Sequence, residues 1–217
     1  MSIDMGMPEE ELKGSFAESY DDMTSEYRSF GGNVLFGLQF DRLSPGERLL
    51  DIGIGTGLSS QRYGRYGLEV YGVDISREML FQCERKDFAK ELKVLDISKD
   101  PLPYDDGFFH HGLAHGVLHF FEDLSFIFRE AARVIKTGGT FVFTTMCGKD
   151  GGPVGDGIEN MDTEWGRKVI LHGRGYVEKV AEISGFELMD SLLFVGGVDP
   201  EDGEMFHNWA YLLRRKL

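Results

Sequence analysis

One stretch restricts the possible folds of this chain more than any other: Leu49-Leu50-Asp51-Ile52-Gly53-Ile54-Gly55-Thr56-Gly57. Arg48 to Ile52 reads as a short apolar strand. It runs directly into glycines at alternating positions, then into a helix expected to end near Tyr66. Glycine lets a backbone turn tightly, or lets a ligand approach with no Cβ in the way. The helix behind such a turn offers unpaired N–H groups to a carboxylate or phosphate. In an open α/β sheet, ligands gather at the carboxyl ends of the strands, where strand order reverses. A glycine turn alone also occurs as a plain tight turn, so its surroundings decide.

Those surroundings alternate. Leu68 to Val73, Leu92 to Leu95, Phe108 to Ala114 and Thr140 to Thr145 read as further strands. Ser76 is placed to cap a helix, with Glu78 in its first turn favouring the positive end of the dipole. Phe121 to Ile135 is amphipathic, with Leu124, Ile127, Phe128, Ala131, Val134 and Ile135 on one side, and Gly138-Gly139 is expected to end it. Short links between alternating strands and helices mean parallel βαβ units. The expected fold class is therefore α/β, a Rossmann-like doubly wound sheet with helices on both faces.

The flanks are less regular. Met1 to Gly14 is polar and expected to be loose. Ser15 to Leu43 reads as helical pieces broken at Gly31-Gly32, with Phe16, Tyr20, Met23 and Tyr27 on one face. Gly148 to Gly175 reads as a long irregular stretch. A helix from about Tyr176 to Ser184, a strand from about Glu187 to Val195 and a last strand near Trp209 to Arg214 follow. The 217 residues suit one domain. It divides into an N-terminal helical cap over 1–43, a cofactor-binding core over 44–145, and a substrate-side segment with the last strands over 146–217.

Two more acids fall at strand ends. Asp74 closes the second strand, where a carboxylate can accept both hydroxyls of a ribose, as in dinucleotide folds. Asp96 closes the third, where it can accept from an adenine amino group. Three polar contacts at three strand ends are worth more than any one of them.

Together these motifs resemble the class I S-adenosylmethionine-dependent methyltransferases, in particular their small-molecule branch, from about Phe16 to Thr145 and more loosely to Leu217. Asp51-x-Gly53-x-Gly55-x-Gly57 is similar to the family's cofactor loop, and Gly72-Val73-Asp74-Ile75-Ser76-Arg77-Glu78-Met79-Leu80 to its ribose motif. Asp96-Ile97 is similar to the adenine-edge pair, and Tyr20-Asp21 to an N-terminal aromatic pair that closes over the methionine moiety. Gly116-Val117-Leu118-His119-Phe120 and Lys136-Thr137-Gly138-Gly139-Thr140-Phe141-Val142 resemble the segments around the fourth and fifth strands.

The resemblance implies methyl transfer from S-adenosylmethionine to a small molecule, leaving S-adenosylhomocysteine. It implies seven strands with the last antiparallel, and a roof over the substrate built from the N-terminal helices and the 148–175 segment. It implies a cofactor set of Tyr20, Asp51, Ile52, Gly53, Gly55, Gly57, Asp74, Ile75, Met79, Asp96, Ile97, Ala114 and His115. His115, placed near the transferring methyl, is also the candidate catalytic base. Two positions depart from the pattern. His110 stands where the family commonly has an Asp, and His115 where Asn, Asp or Ser is usual.

Methyl transfer is an in-line displacement, so holding the nucleophile close and aligned supplies much of the gain. A base adds about 10²–10⁴-fold where the acceptor must lose a proton. Imidazole titrates near neutrality, which recommends His115; the plainer alternative is that it lines the cofactor or caps the next helix. His119 reads as structural. His111, His115 and His119 have i, i+4 spacing, but the segment passes from strand to loop to helix, so no metal is expected. Met161-Asp162-Thr163-Glu164-Trp165, Arg167, His172 and Tyr176 offer walls for an acceptor, or else a cover helix packed by Trp165 and Ile170.

Composition narrows the partners. A formal charge of -14, from 23 Lys and Arg against 37 Asp and Glu, repels nucleic acid and anionic membranes. Arg214-Arg215-Lys216 reads as a solvated chain end. Cys83 and Cys147 are too few for a disulfide scaffold or a zinc site and suit a reducing cytoplasm. No apolar run reaches the length of a membrane span, and Met1 to Lys13 has no apolar signal core. A nicotinamide-dependent oxidoreductase is disfavoured, because Leu58 stands at the third glycine position of G-x-G-x-x-G. Transfer of another group, such as aminopropyl, and a non-catalytic cofactor-binding module stay open.

Overall fold

A computed structural model describes residues 14–147, 155–162 and 168–217. Its centre is a seven-stranded sheet built from β1 (Arg48–Ile52), β2 (Glu69–Asp74), β3 (Ala89–Val94), β4 (Phe109–Ala114), β5 (Ile135–Met146), β8 (Phe186–Val198) and β9 (Met205–Arg215), in the order β3-β2-β1-β4-β5-β9-β8. β1 pairs in parallel with β2 on one side and β4 on the other, so strand order reverses at β1. β9 runs antiparallel to both its neighbours, β5 and β8. This is the expected Rossmann-like sheet, mostly parallel with the last strand reversed.

Strand residues alternate between two cores, as the period of two requires. Leu50 and Ile52 join one, with α5 (Ser125–Val134) and α6 (Arg174–Ile183); there Phe128 meets Phe141 and Phe143 edge-on. Leu49 joins the other, with α2 (Gly31–Gln39), α3 (Gln61–Tyr66) and α4 (Arg77–Glu84). Helices thus cover both faces, and every apolar position expected on α5 is buried. α1 (Gly14–Glu26) packs on α4. Among the described residues no helix is long and apolar enough to cross a membrane.

Four local expectations need correction. Gly31 and Gly32 open α2 rather than break a helix; the break lies at 27–30, where Arg28 takes φ +49°. The helix expected from Phe121 begins at Ser125, whose N–H is held by Asp123 Oδ1. Gly138 and Gly139 do not cap it. They sit inside β5, where pairing jumps from Phe109–Ile135 to His111–Thr140, so four residues loop out against one. A Cβ at Gly139 would meet the His110 carbonyl oxygen, which is why the loop-out needs a glycine there. Finally, the stretch read as irregular contains a hairpin, β6 (Ile158–Asp162) antiparallel to β7 (Lys168–His172), and Ile170 lies in a strand and not in a cover helix. β6 is mostly exposed and polar, so it carries no alternation to read. Trp165 and Arg167 fall outside the described residues, as does the segment expected to be loose before Gly14.

Candidate functional site

The carboxyl ends of β1, β2 and β4 meet where the strand order reverses. Gly53 and Ile54 both donate to the Val73 carbonyl, which ties the glycine turn to β2. All three turn glycines have positive φ, but they do different work. A Cβ at Gly53 would lie 2.5 Å from Val117, and one at Gly57 would strike Phe88 and Cys83. Only Gly55 faces open space where its Cβ would be. Gly53 and Gly57 therefore admit protein neighbours, and Gly55 leaves room for a ligand.

Asp74 stands half-buried at the end of β2. Its Oδ2 accepts from Gly55 N–H at 2.8 Å and its Oδ1 from Ser76 N–H at 2.9 Å. Burial raises its pKa, while these backbone donors oppose the rise. Ser76 caps α4 as expected, its hydroxyl accepting from Met79 N–H at 3.2 Å. Ile75 beside it is 41% exposed. Asp96 follows β3 with Ser98 on one carboxylate oxygen and Lys99 on the other, which lowers its pKa despite partial burial; Ile97 behind it is buried. Asp51 near the end of β1 is 2% exposed, close to Tyr63 and Cys83, and burial reinforced by the charge of Asp74 pushes its pKa up to about 7.

Two contacts fix elements over this edge, and neither is visible in a sequence pattern. Thr56 of the turn donates to Asp21 Oδ1 at 2.5 Å, and Asp21 also ion-pairs with Lys86 beyond α4. α1 is thereby latched across the turn, with Tyr20 near enough to Asp74 to feel its charge; burial is the larger cause of the raised Tyr20 pKa. His115, just past β4 and Ala114, shares a 2.7 Å hydrogen bond with Ser59 through Nδ1. Its ring fits under Gly31 of α2, where a Cβ would stand 2.9 Å from both Cδ2 and Cε1. Burial, and then the Arg62 charge, hold its pKa down at about 4. Among the described residues no group of three or more His, Cys, Asp or Glu is placed to hold a metal.

Known proteins resemble this chain in sequence and in fold. Residues 50–143 match the family described as Methyltransferase domain. Malonyl-[acyl-carrier protein] O-methyltransferase of Legionella pneumophila is 27% identical over 152 residues, covering 69% of this chain and 51% of that protein. The chain spans about half the length of the first curated relatives it matches, or less. A putative methyltransferase of Haloferax volcanii, solved with the Trm112 methyltransferase activator, superposes with TM-score 0.73 at 18% identity, covering 94% of this chain and 97% of that one. The 1,6-didemethyltoxoflavin-N1-methyltransferase of Burkholderia thailandensis, solved with S-adenosylhomocysteine, superposes with TM-score 0.68 at 15% identity, covering 95% of this chain and 88% of that one. The last two likenesses show the fold. Residues 50–143 are thus similar to a methyltransferase domain, on a sheet that solved S-adenosylmethionine-dependent methyltransferases share.

Proposed function

We propose that this protein transfers a methyl group from S-adenosylmethionine to a small-molecule acceptor. One observation carries the reading: Gly55, open to a ligand, lies hydrogen-bonded to the half-exposed acid Asp74 at the reversal of strand order. The residues fit the donor. Asp74 offers remaining lone pairs to a ribose, the exposed Ile75 with Met79 offers an apolar wall to adenine, and Asp96 with Ile97 offers its edge. Tyr20, Asp51, Ile52, Gly53, Gly57 and Ala114 complete the set at the same strand ends.

Bound S-adenosylmethionine would supply an electrophilic sulfonium methyl for in-line transfer to the acceptor's lone pair. The chain's own task is to bind, align and exclude water. His115 serves as a neutral positioning group in this reading. A base with pKa about 4 is a poor match to neutral pH, and the ring is already held by Ser59. The relatives methylate oxygen in one case and nitrogen in another, so they do not choose the acceptor atom. The acidic surface and two free, buried cysteines suit a small-molecule enzyme of the cytoplasm, with no nucleic acid or membrane among its partners.

The test is thermal melting with S-adenosylhomocysteine, S-adenosylmethionine, NAD and NADP. A ligand at about 100 times its Kd stabilises by roughly 2.7 kcal/mol. Stabilisation by the sulfur compounds alone is expected; a larger shift with NAD refutes the reading. Labelled S-adenosylmethionine with a metabolite panel then identifies the product by mass.

A further inference from the structure

We infer that His119 contacts the methyl acceptor and orients its nucleophilic atom through a ring nitrogen. The inference rests on the methyl-transfer reading and adds a residue to its acceptor side. The neighbouring histidines His110, His111, His115 and His172 each commit at least one ring nitrogen to the protein. His110 Nδ1 accepts from Arg48 N–H, and His111 bonds Thr140 and Glu47. His115 bonds Ser59, and His172 is fixed through Nε2 on the Phe121 carbonyl, its Nδ1 buried without a partner. Among the described residues none hydrogen-bonds His119, although its ring is half-buried. His207 Nδ1 also lacks a partner, but it lies on β9, on the far side of β5 from the glycine turn.

Position turns this free imidazole into a candidate. His119 belongs to the short turn Leu118–Phe120, and the preceding Val117 packs on Gly53 of the glycine turn. β7 packs on the same turn, and His119 lies close enough to His115 and His172 to feel both. It therefore stands between the loop after β4 and the β6–β7 hairpin. Ribose and adenine engage the ends of β2 and β3, which leaves the β4 side for the methyl and its acceptor. Burial keeps the imidazole neutral at pH 7, with one accepting nitrogen and one N–H. The half-buried ring has no protein partner to give up, so its nitrogens are free to hydrogen-bond an acceptor. The acceptor class that fits carries N–H or O–H on the atom to be methylated.

The experiment compares the parent with His119→Ala and His119→Gln. S-adenosylhomocysteine affinity is measured by calorimetry, and label transfer from methyl-labelled S-adenosylmethionine into a small-metabolite extract is counted. Affinity within about twofold of the parent is expected, with transfer by the Ala variant down about tenfold or more. The Gln variant, which keeps a hydrogen-bonding side chain, is expected to recover part of the loss. On the parent protein, diethyl pyrocarbonate with mass mapping is expected to modify His119 ahead of His111 and His115; slower modification of His119 overturns the inference, whether or not the variants fold. Transfer by the Ala variant at the parental rate overturns the inference alone. A parent that binds no S-adenosylhomocysteine and transfers no label overturns the function beneath it as well.

Discussion

Replacing Gly31 by alanine tests the seat of His115. In a helix this change normally stabilises by about 0.5–1 kcal/mol, because glycine loses more backbone freedom on folding. Here the new methyl would stand 2.9 Å from two carbons of the His115 ring and nearer still to Nε2. Carbons settle at roughly 3.5–4.0 Å, so ring or helix must give by about 1 Å. The ring is hydrogen-bonded to Ser59 on its other side, and Gly32 is already against Ser59, so neither has slack. Overpacking of this kind costs about 1–3 kcal/mol. The balance is a destabilisation of roughly 0.5–2 kcal/mol, or a Tm lower by about 1–8 °C for a chain this size. Turnover falls further, by up to about 10²-fold, if His115 positions a reacting group, since a misplacement near 1 Å is enough. The double variant Gly31→Ala with His115→Ala removes the clash, so its Tm should match or exceed that of His115→Ala. A Gly31→Ala protein as stable as the parent, with effects that add to those of His115→Ala, would refute the packing argument.

Asp74→Asn keeps the shape but gives up the charge and one of the two acceptor oxygens that hold Gly55 and Ser76. Charge-assisted hydrogen bonds contribute about 1.5–3 kcal/mol, so S-adenosylmethionine affinity should fall about tenfold or more by calorimetry, and an unchanged Kd removes Asp74 from the site. Asp51→Asn addresses pH. The folded pKa of Asp51 is raised from 3.8 to about 7 by burial, so folding favours its protonated form. Its contribution to stability is full below the unfolded pKa and is lost as pH rises through about 7. Denaturant titrations at pH 4 and pH 8 should therefore show the Asn variant gaining on the parent at the higher pH, by an amount on the order of a few kcal/mol; a constant difference would place a normal carboxylate there.

The half of the candidate site proposed for the donor could be read from the sequence because its determinants are local. Strand, turn and helix are written within Leu49 to Tyr66. Asp74, Ser76 and Met79 belong to one strand end and the helix it leads into, and Asp96 and Ile97 to another. Parallel pairing then brings those ends together with no further instruction. The turn glycines were legible as glycines but not in their separate roles. Phe88 and Cys83 fill the space at Gly57, and Val117 that at Gly53, and only the folded chain brings them there. The β6–β7 hairpin was missed because its first strand is polar and exposed, and its register is set by pairing with its partner.

The acceptor half depends instead on meetings between distant segments. Thr56 meets Asp21 across 35 positions and Ser59 meets His115 across 56. Neither pair has a spacing rule that a single sequence can display. The same logic separates His115 from His119. Both are imidazoles near the end of β4, and position alone recommends the first. Once the contacts are known, His115 is enclosed between Ser59 and Gly31, which suits a group that holds the wall of the site in place. His119 has nitrogens that no described neighbour takes, which suits a group left for the acceptor. Chemistry on the acceptor side therefore follows which polar atoms the fold leaves unspent, and that is a property of the packed chain.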